Sequence, residues 1–301
     1  ATASYDPDGG ALSFGWAPSP TASFNSTDGL ASAGFTDPGL YEFTVTGTDP
    51  ATGSTDLTRE AAVYGGNGFS NFSSPLLDPF WETSNLQVVN NLGSGPWYSL
   101  EYQPGNLLLS IPGHQSYPLG GAVDLDSLTH PWLKRELPST GDWVLQTDLT
   151  LSGLQFGDFM TGLLVEVADP ADRNRYAFGY QDGNQLAVVQ LTPTTSTVEL
   201  FSLPYGLSSD MDLRIRREGN DLIFEWRPND LFEEVHRLAL PAGNLLFDGG
   251  PFSSTEAEEI VNVTFDYVML IDPTPITPPS DALVISEILY KPIGGDLYEF
   301  L

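Results

Sequence analysis

The sequence predicts an all-β chain of antiparallel sandwiches, and three observations carry that expectation. Apolar residues alternate with polar ones at a period of two, turn-forming residues recur at short intervals, and helical apolar spacing is scarce. With 301 residues and 41% hydrophobic content, the chain is long enough for two or three domains with cores of their own.

In chain order, Asp6-Pro7-Asp8-Gly9 forms a tight turn between a strand-like lead at 1–5 and an apolar run through Leu12, Phe14 and Trp16. Asp37-Pro38-Gly39 repeats that turn and feeds a strand through Tyr41, Phe43 and Val45. Gly65-Gly66-Asn67-Gly68 marks a boundary. At 143–151, Trp143, Leu145, Thr147, Leu149 and Leu151 share one face, and Gln146, Asp148 and Thr150 share the other. Strands at 213–216 and 222–226 flank a Gly-containing turn of hairpin length. The stretch 231–237 reads as a short helix or another strand. Val261, Val263, Phe265, Tyr267, Met269 and Ile271 line one face of a second alternating strand, opposite Asn262, Thr264 and Asp266. Turns are expected at Asp169-Pro170, 181–184, 203–206 and Asp248-Gly249-Gly250-Pro251. Residues 273–280 are Pro-rich and form an extended, semi-rigid linker. The expected division is therefore 1–65, 66–272, the linker 273–280, and 281–301.

Charge narrows the partners. Eleven Lys and Arg stand against 40 Asp and Glu, a net charge of −29 that repels nucleic-acid phosphates and anionic membranes. Such a chain needs a hydrated surface, salt or divalent cations to relieve its self-repulsion. Without cysteine, neither disulfides nor thiolate metal sites exist. No stretch approaches the ~18 to 20 apolar residues of a membrane-spanning helix, so membrane insertion is not expected.

Three resemblances follow from these residues. The Asp6–Gly9 turn, Trp16 and Gly39-Leu40-Tyr41-Glu42-Phe43-Thr44-Val45 together resemble the polycystic kidney disease (PKD) type of immunoglobulin-like module, without its first strand. In the middle segment, Leu77-Asp78-Pro79-Phe80-Trp81-Glu82, 105–111, 141–145, 162–165, 174–179, 213–220 and 265–268 resemble, in that order, the concanavalin A-like, laminin-G-like jelly rolls appended to bacterial glycoside hydrolases. Ala282-Leu283-Val284-Ile285-Ser286-Glu287-Ile288-Leu289-Tyr290 and 295–301 resemble the first two strands of a lamin-tail domain. These resemblances imply a segment of a longer bacterial protein that is secreted or displayed at the cell surface.

Candidate sites are of three kinds. Calcium is expected at Asp6 and Asp8, with Asp37 or Asp49 reaching the same end of the sandwich, because Ca²⁺ takes six to eight hard oxygen ligands; the alternative is a plain turn. Carbohydrate is expected on Trp97, Tyr98, Tyr117, Trp132 and Tyr205, aromatics in loop-like surroundings whose flat faces suit a pyranose. Trp16, Trp81, Trp143 and Trp226 fit core faces instead. Catalysis is not expected, because no single strand carries the spaced acids of a sandwich glycosidase and Glu166-Val167-Ala168-Asp169 lacks the spacing. His114, His130 and His236 form no zinc motif, and no Gly-x-Ser-x-Gly is present.

The function these residues favour is a non-catalytic extracellular segment that binds glycan or a cell-surface protein. The alternatives are a structural shaft whose modules associate with copies of themselves, and an accessory module of an extracellular hydrolase.

Overall fold

The computed structural model describes residues 13–272 except 20–22, 28–29, 36, 50–52, 65–67, 89–94, 114–115, 121–128, 152–157, 169–172, 193–196, 206–209, 230 and 257–259. The Asp6-Pro7-Asp8-Gly9 turn, the linker 273–280 and the lamin-tail-like stretch 281–301 thus lie outside the described residues. No α-helix occurs among the described residues, and the chain is all-β. No described helix is long and apolar enough to cross a membrane. The chain divides between Gly65 and Gly66 into two units.

In the first unit, β1 (Ser13–Ser19), β4 (Gly39–Asp49) and β5 (Gly53–Val63) form an antiparallel sheet in the order β1-β4-β5, and β2 (Ser23–Thr27) pairs with β3 (Leu30–Gly34) as a hairpin. The turn before β4 is tied down by Tyr41, whose hydroxyl donates to the Asp37 carbonyl at 2.8 Å while its ring packs 4.6 Å from Phe35. Tyr41 and Val63 are the buried hydrophobics described here.

The second unit, Gly66–Thr274, is a two-layer sandwich. One sheet runs in the spatial order β19 (Glu233–Ala239), β18 (Asp221–Trp226), β17 (Asp210–Glu218), β12 (Trp143–Leu151), β21 (Val261–Ile271), β10 (Leu107–Ile111), β9 (Trp97–Ser99) and β8 (Gln87–Val88), with β6 (Phe69–Ser70) also on β21. The other runs β16 (Thr197–Pro204), β15 (Gln185–Leu191), β14 (Arg173–Gln181), β13 (Phe159–Ala168), β20 (Leu246–Thr255), β11 (Trp132–Leu137) and β7 (Glu82–Ser84). The stretch 231–237, ambiguous in sequence, enters edge strand β19.

The core lies between the two sheets. Leu107, Trp143, Leu145 and Phe224 from the nine-stranded sheet meet Leu163, Val165, Phe178 and Val188 from the seven-stranded one. Phe178 and Phe224 touch across the layers edge to face at 5.6 Å, as do Trp143 and Phe247. Each such fully buried side chain stabilises the fold by about 1.5–3 kcal/mol. Trp81 and Trp143 sit in this core as expected, and Trp226 packs against it half-buried.

Two strand readings need correction. Val261, Val263 and Phe265 face the core, but further along it is Val268 and Leu270 that do so, not Tyr267, Met269 and Ile271. A β-bulge explains the switch: Asp148 pairs with Tyr267 and Leu149 with Phe265, so exposed Asp266 is an extra residue that shifts the alternation by one. The second correction concerns Asp248-Gly249-Gly250-Pro251, which is no turn but the middle of β20, between β13 and β11. The glycines are there for lack of room. A Cβ on Gly250 would lie 2.1 Å from the Leu133 carbonyl oxygen, and one on Gly249 would lie 2.7 Å from the Leu137 side chain.

Candidate functional site

Alternation on β13 places Leu163, Val165 and Val167 inward and Met160, Leu164 and Glu166 on the outer face of the seven-stranded sheet. That outer face has an apolar cluster of its own, including Leu164, Ala177, Leu191, Phe252 and Trp132, joined by Leu119 from the segment before β11. Beside it runs a transverse row of ionisable side chains. Arg175 lies opposite Glu166, Glu166 opposite Asp248, and Asp248 opposite Glu136, on four neighbouring strands. Side chains directly opposite each other project to the same side with Cβ atoms about 4.5–5.5 Å apart.

Glu166 is clamped: the Nε atoms of Arg173 and Arg175 donate to its two oxygens at 2.7 and 2.6 Å. Lys134, two residues before Glu136 and so on the same face, reaches Asp248 at 3.6 Å and Glu82 at 3.5 Å. Burial raises the pKa of Asp248, and the negative charges of Glu166 and Glu82 add to the shift while Lys134 opposes it. The row grades from buried Glu166 and Arg175 to half-exposed Asp248, Lys134 and Arg173 and exposed Glu136. It offers carboxylate acceptors and cationic donors side by side, the pairing that holds polyol hydroxyls.

The row continues toward Trp132. The Arg175 guanidinium lies 5.2 Å from the Trp132 ring centroid, and Lys134 lies 5.8 Å from it. His130, edge-on to Phe252 at 6.3 Å, is buried, and burial followed by the Arg175 charge lowers its pKa to about 3.

The outer face of the nine-stranded sheet carries a second polar system of different character. Gln146 donates to the Tyr267 hydroxyl at 2.6 Å and accepts from Arg214 at 3.0 and 2.8 Å. Arg214 also meets Glu225, which accepts from Arg216 at 3.0 Å, and Arg227 grips Asp212 at 2.7 and 3.1 Å. Phe232 lies 3.6 Å from the Arg214 guanidinium. The buried members of this network bond to one another, and burial raises the Tyr267 pKa.

The residues singled out for carbohydrate do not converge. Trp97 and Tyr98 lie on β9, and Tyr98, 8% exposed, belongs to the inter-sheet core. Trp132 is 2% exposed, so these two are not open platforms, because each occupies a strand position that points into a cluster. Tyr117 is half-buried and pairs with Thr255 at the end of β20. Tyr205 is half-buried against Trp226 at 4.9 Å and Tyr180 at 6.2 Å. The acids and cations of the outer-face row were missed because they come from strands far apart in sequence. A period-two alignment of 132–136, 164–166 and 246–248 was the available signal.

For calcium, Asp6 and Asp8 lie outside the described residues. Asp37 precedes β4 and Asp49 ends it. Eleven extended residues span about 35 Å, so Asp37 and Asp49 mark opposite ends of β4 and stand as alternatives to each other. Among the described residues no group of three or more His, Cys, Asp or Glu is placed to hold a metal.

No protein-family model matches the chain, and no curated relative does. Solved structures with similar architecture include xylan β-1,4-xylosidase from Bacillus halodurans C-125 (14% identity, covering 78% of this chain and 51% of that one, TM-score 0.49). Alginate lyase from Klebsiella pneumoniae is similar at 13% identity, over 64% of this chain and 95% of that one, with a TM-score of 0.40. The CBM2 module of the evolved Dit of Lactobacillus casei BL23 phage J-1 is similar at 10% identity, over 67% and 93%, with a TM-score of 0.43. The chain thus spans about half the length of the xylosidase it resembles. One expectation is overturned. A xylosidase and an alginate lyase are among these similar structures, and the expectation of a non-catalytic chain does not stand.

Proposed function

We propose that the Gly66–Thr274 sandwich recognises carbohydrate as part of an extracellular protein, and that the ligand lies across the outer face of the seven-stranded sheet. One observation carries the reading: the row Arg175, Glu166, Asp248 and Glu136, flanked by Lys134 and Arg173, sets both signs of charge side by side on one face. Neutral polyols are held where donors and acceptors stand close together, whereas a surface of one sign suits a polyelectrolyte. Calorimetric titration against a panel of soluble polysaccharides tests it. Binding by the wild type that weakens about tenfold or more in Asp248→Asn and Lys134→Ala is expected; a panel with no binder at millimolar concentration removes the reading.

A second reading, association with copies of the same chain, has one observation in its favour. Edge strand β16 is eight residues long, mostly exposed, and carries Glu199 as its single charge, with Val198 and Leu203 exposed. Edges of that kind accept a further strand. Light scattering across a concentration series decides it, with a constant monomer mass as the contrary result.

A further inference from the structure

We infer that the C-terminal stretch 282–290 docks on the apolar face of the β1-β4-β5 sheet, so that both ends of this chain build one module and the larger sandwich is an insertion within it. The interaction is intramolecular and independent of the carbohydrate reading.

The sheet itself calls for a second layer. Residues directly opposite each other in an antiparallel pair project to the same side. One side of the sheet thus collects Trp16, Val45 and Leu57, together with Phe43, Tyr41 and Ala61. The other side collects Thr44 with Thr58, Thr46 with Asp56 and Thr48 with Ser54, and the hydroxyls of the first and last pairs meet at 3.2 and 2.9 Å. Such a sheet is half a sandwich, polar toward water and apolar toward a core. Its burial is incomplete. Tyr41 is 6% exposed, but Trp16, Phe43 and Val45 are only half-buried and Leu57 is 48% exposed. The hairpin strands β2 and β3, Ser-Phe-Asn-Ser-Thr and Leu-Ala-Ser-Ala-Gly, bring one large apolar residue each.

The path of the chain names the occupant. Strand β6 pairs antiparallel with β21, Phe69 opposite Met269 and Ser70 opposite Val268. The chain arriving through Gly68 and the chain departing through Leu270 and Ile271 therefore run side by side toward one end of the larger sandwich. The residues after Asp272 thus set out beside the segment that comes from β5, and the division of the chain assigns Pro275–Leu301 to the first unit. The Pro-rich linker 273–280 reaches about 25 Å. In extended form, Leu283, Ile285 and Leu289 share one face of the stretch that follows, and Val284, Ile288 and Tyr290 share the other. A strand apolar on both faces is suited to burial between layers. The tether also raises its effective concentration at the sheet. A second copy has no tether and brings a net charge of −29 against the same charge.

The test uses the full chain, in which no native cysteine competes with an introduced one. Lys291→Cys carrying a nitroxide is expected to broaden the amide resonances of Tyr41, Phe43, Val45 and Leu57 when label and ¹⁵N are on the same chain. A labelled chain mixed with an unlabelled ¹⁵N chain is expected to leave them sharp. Ile285→Asp combined with Ile288→Asp is expected to abolish the broadening and to speed amide exchange in β4 and β5 about tenfold or more, with β13 and β21 unchanged. Leu57→Asp should release the stretch from the other side, with exchange at 282–290 faster by about tenfold or more. Sharp resonances in the same-chain sample overturn the docking and assign the tail to a module of its own. Broadening that appears only in the mixture overturns it in favour of a second copy.

Discussion

Both sheets of the larger unit carry arginines and carboxylates on their outer faces, yet the two faces are finished differently. On the nine-stranded sheet the buried groups bond to one another, Tyr267 to Gln146, Gln146 to Arg214, Arg214 to Glu225 and Glu225 to Arg216, which reaches exposed Glu218 at the rim. On the seven-stranded sheet Glu166 is clamped, but Asp248 and Glu136 open toward solvent and two buried nitrogens lack partners among the described residues. A closed buried network fixes a structure. An open one leaves binding capacity for something else.

The largest expected effect breaks the closed face. Arg214→Ala strands Glu225 and Gln146 in a buried site and should destabilise by about 3–5 kcal/mol, read as a lower urea midpoint; a change under about 1 kcal/mol would show the network to be less buried than described. Next comes acid. His130 has a folded pKa of about 3 against 6.5 when unfolded, so above pH 6.5 it is neutral in both states and stability does not depend on it. As pH falls below 6.5, the unfolded chain binds a proton that the folded chain refuses, and stability should drop by on the order of 3 kcal/mol by pH 4. Asp182 and Asp248, whose pKa values are raised by burial, take up protons ahead of the unfolded chain and offset part of this at the acid end. Melting curves of His130→Phe should lose the slope just below pH 6.5, and an unchanged slope would assign it elsewhere. Tyr267→Phe removes only the acceptor for Gln146 and should cost about 1–2 kcal/mol in the same urea assay. Smallest is Asp248→Asn. Its ion pair with Lys134 is partly solvated, so the stability change should stay under about 1 kcal/mol even where ligand affinity falls; a larger loss would move Asp248 from the open class to the closed one.

Much of the fold was legible in the residues. The alternation at 143–151 lies on the faces it indicated, and the 213–226 hairpin forms as β17 and β18. What failed was inference from local chemistry where long-range packing decides. Gly249-Gly250 looked like a turn because glycine is common in turns, but its cause is the close approach of Leu133 and Leu137 from a strand more than a hundred residues earlier. Trp132 looked exposed because it follows His130-Pro131, yet the ladder to Phe252 buries it. The search for acids along one strand missed a row assembled across Glu136, Glu166 and Asp248, since pairing partners are invisible until the sheet order is known.

Asp266 also says something about how this chain tolerates changes in length. The ladder matches Leu149 to Phe265 and Asp148 to Tyr267, so β21 contains one residue beyond what its partner strand counts. Removing Asp266 would join the two halves with Phe265 and Val268 still inward and Tyr267 still outward, whereas a single-residue deletion in the middle of either half would turn one end of the strand inside out. In this strand, a codon can be lost without inverting the side chains at one place, and that place is marked by the bulge.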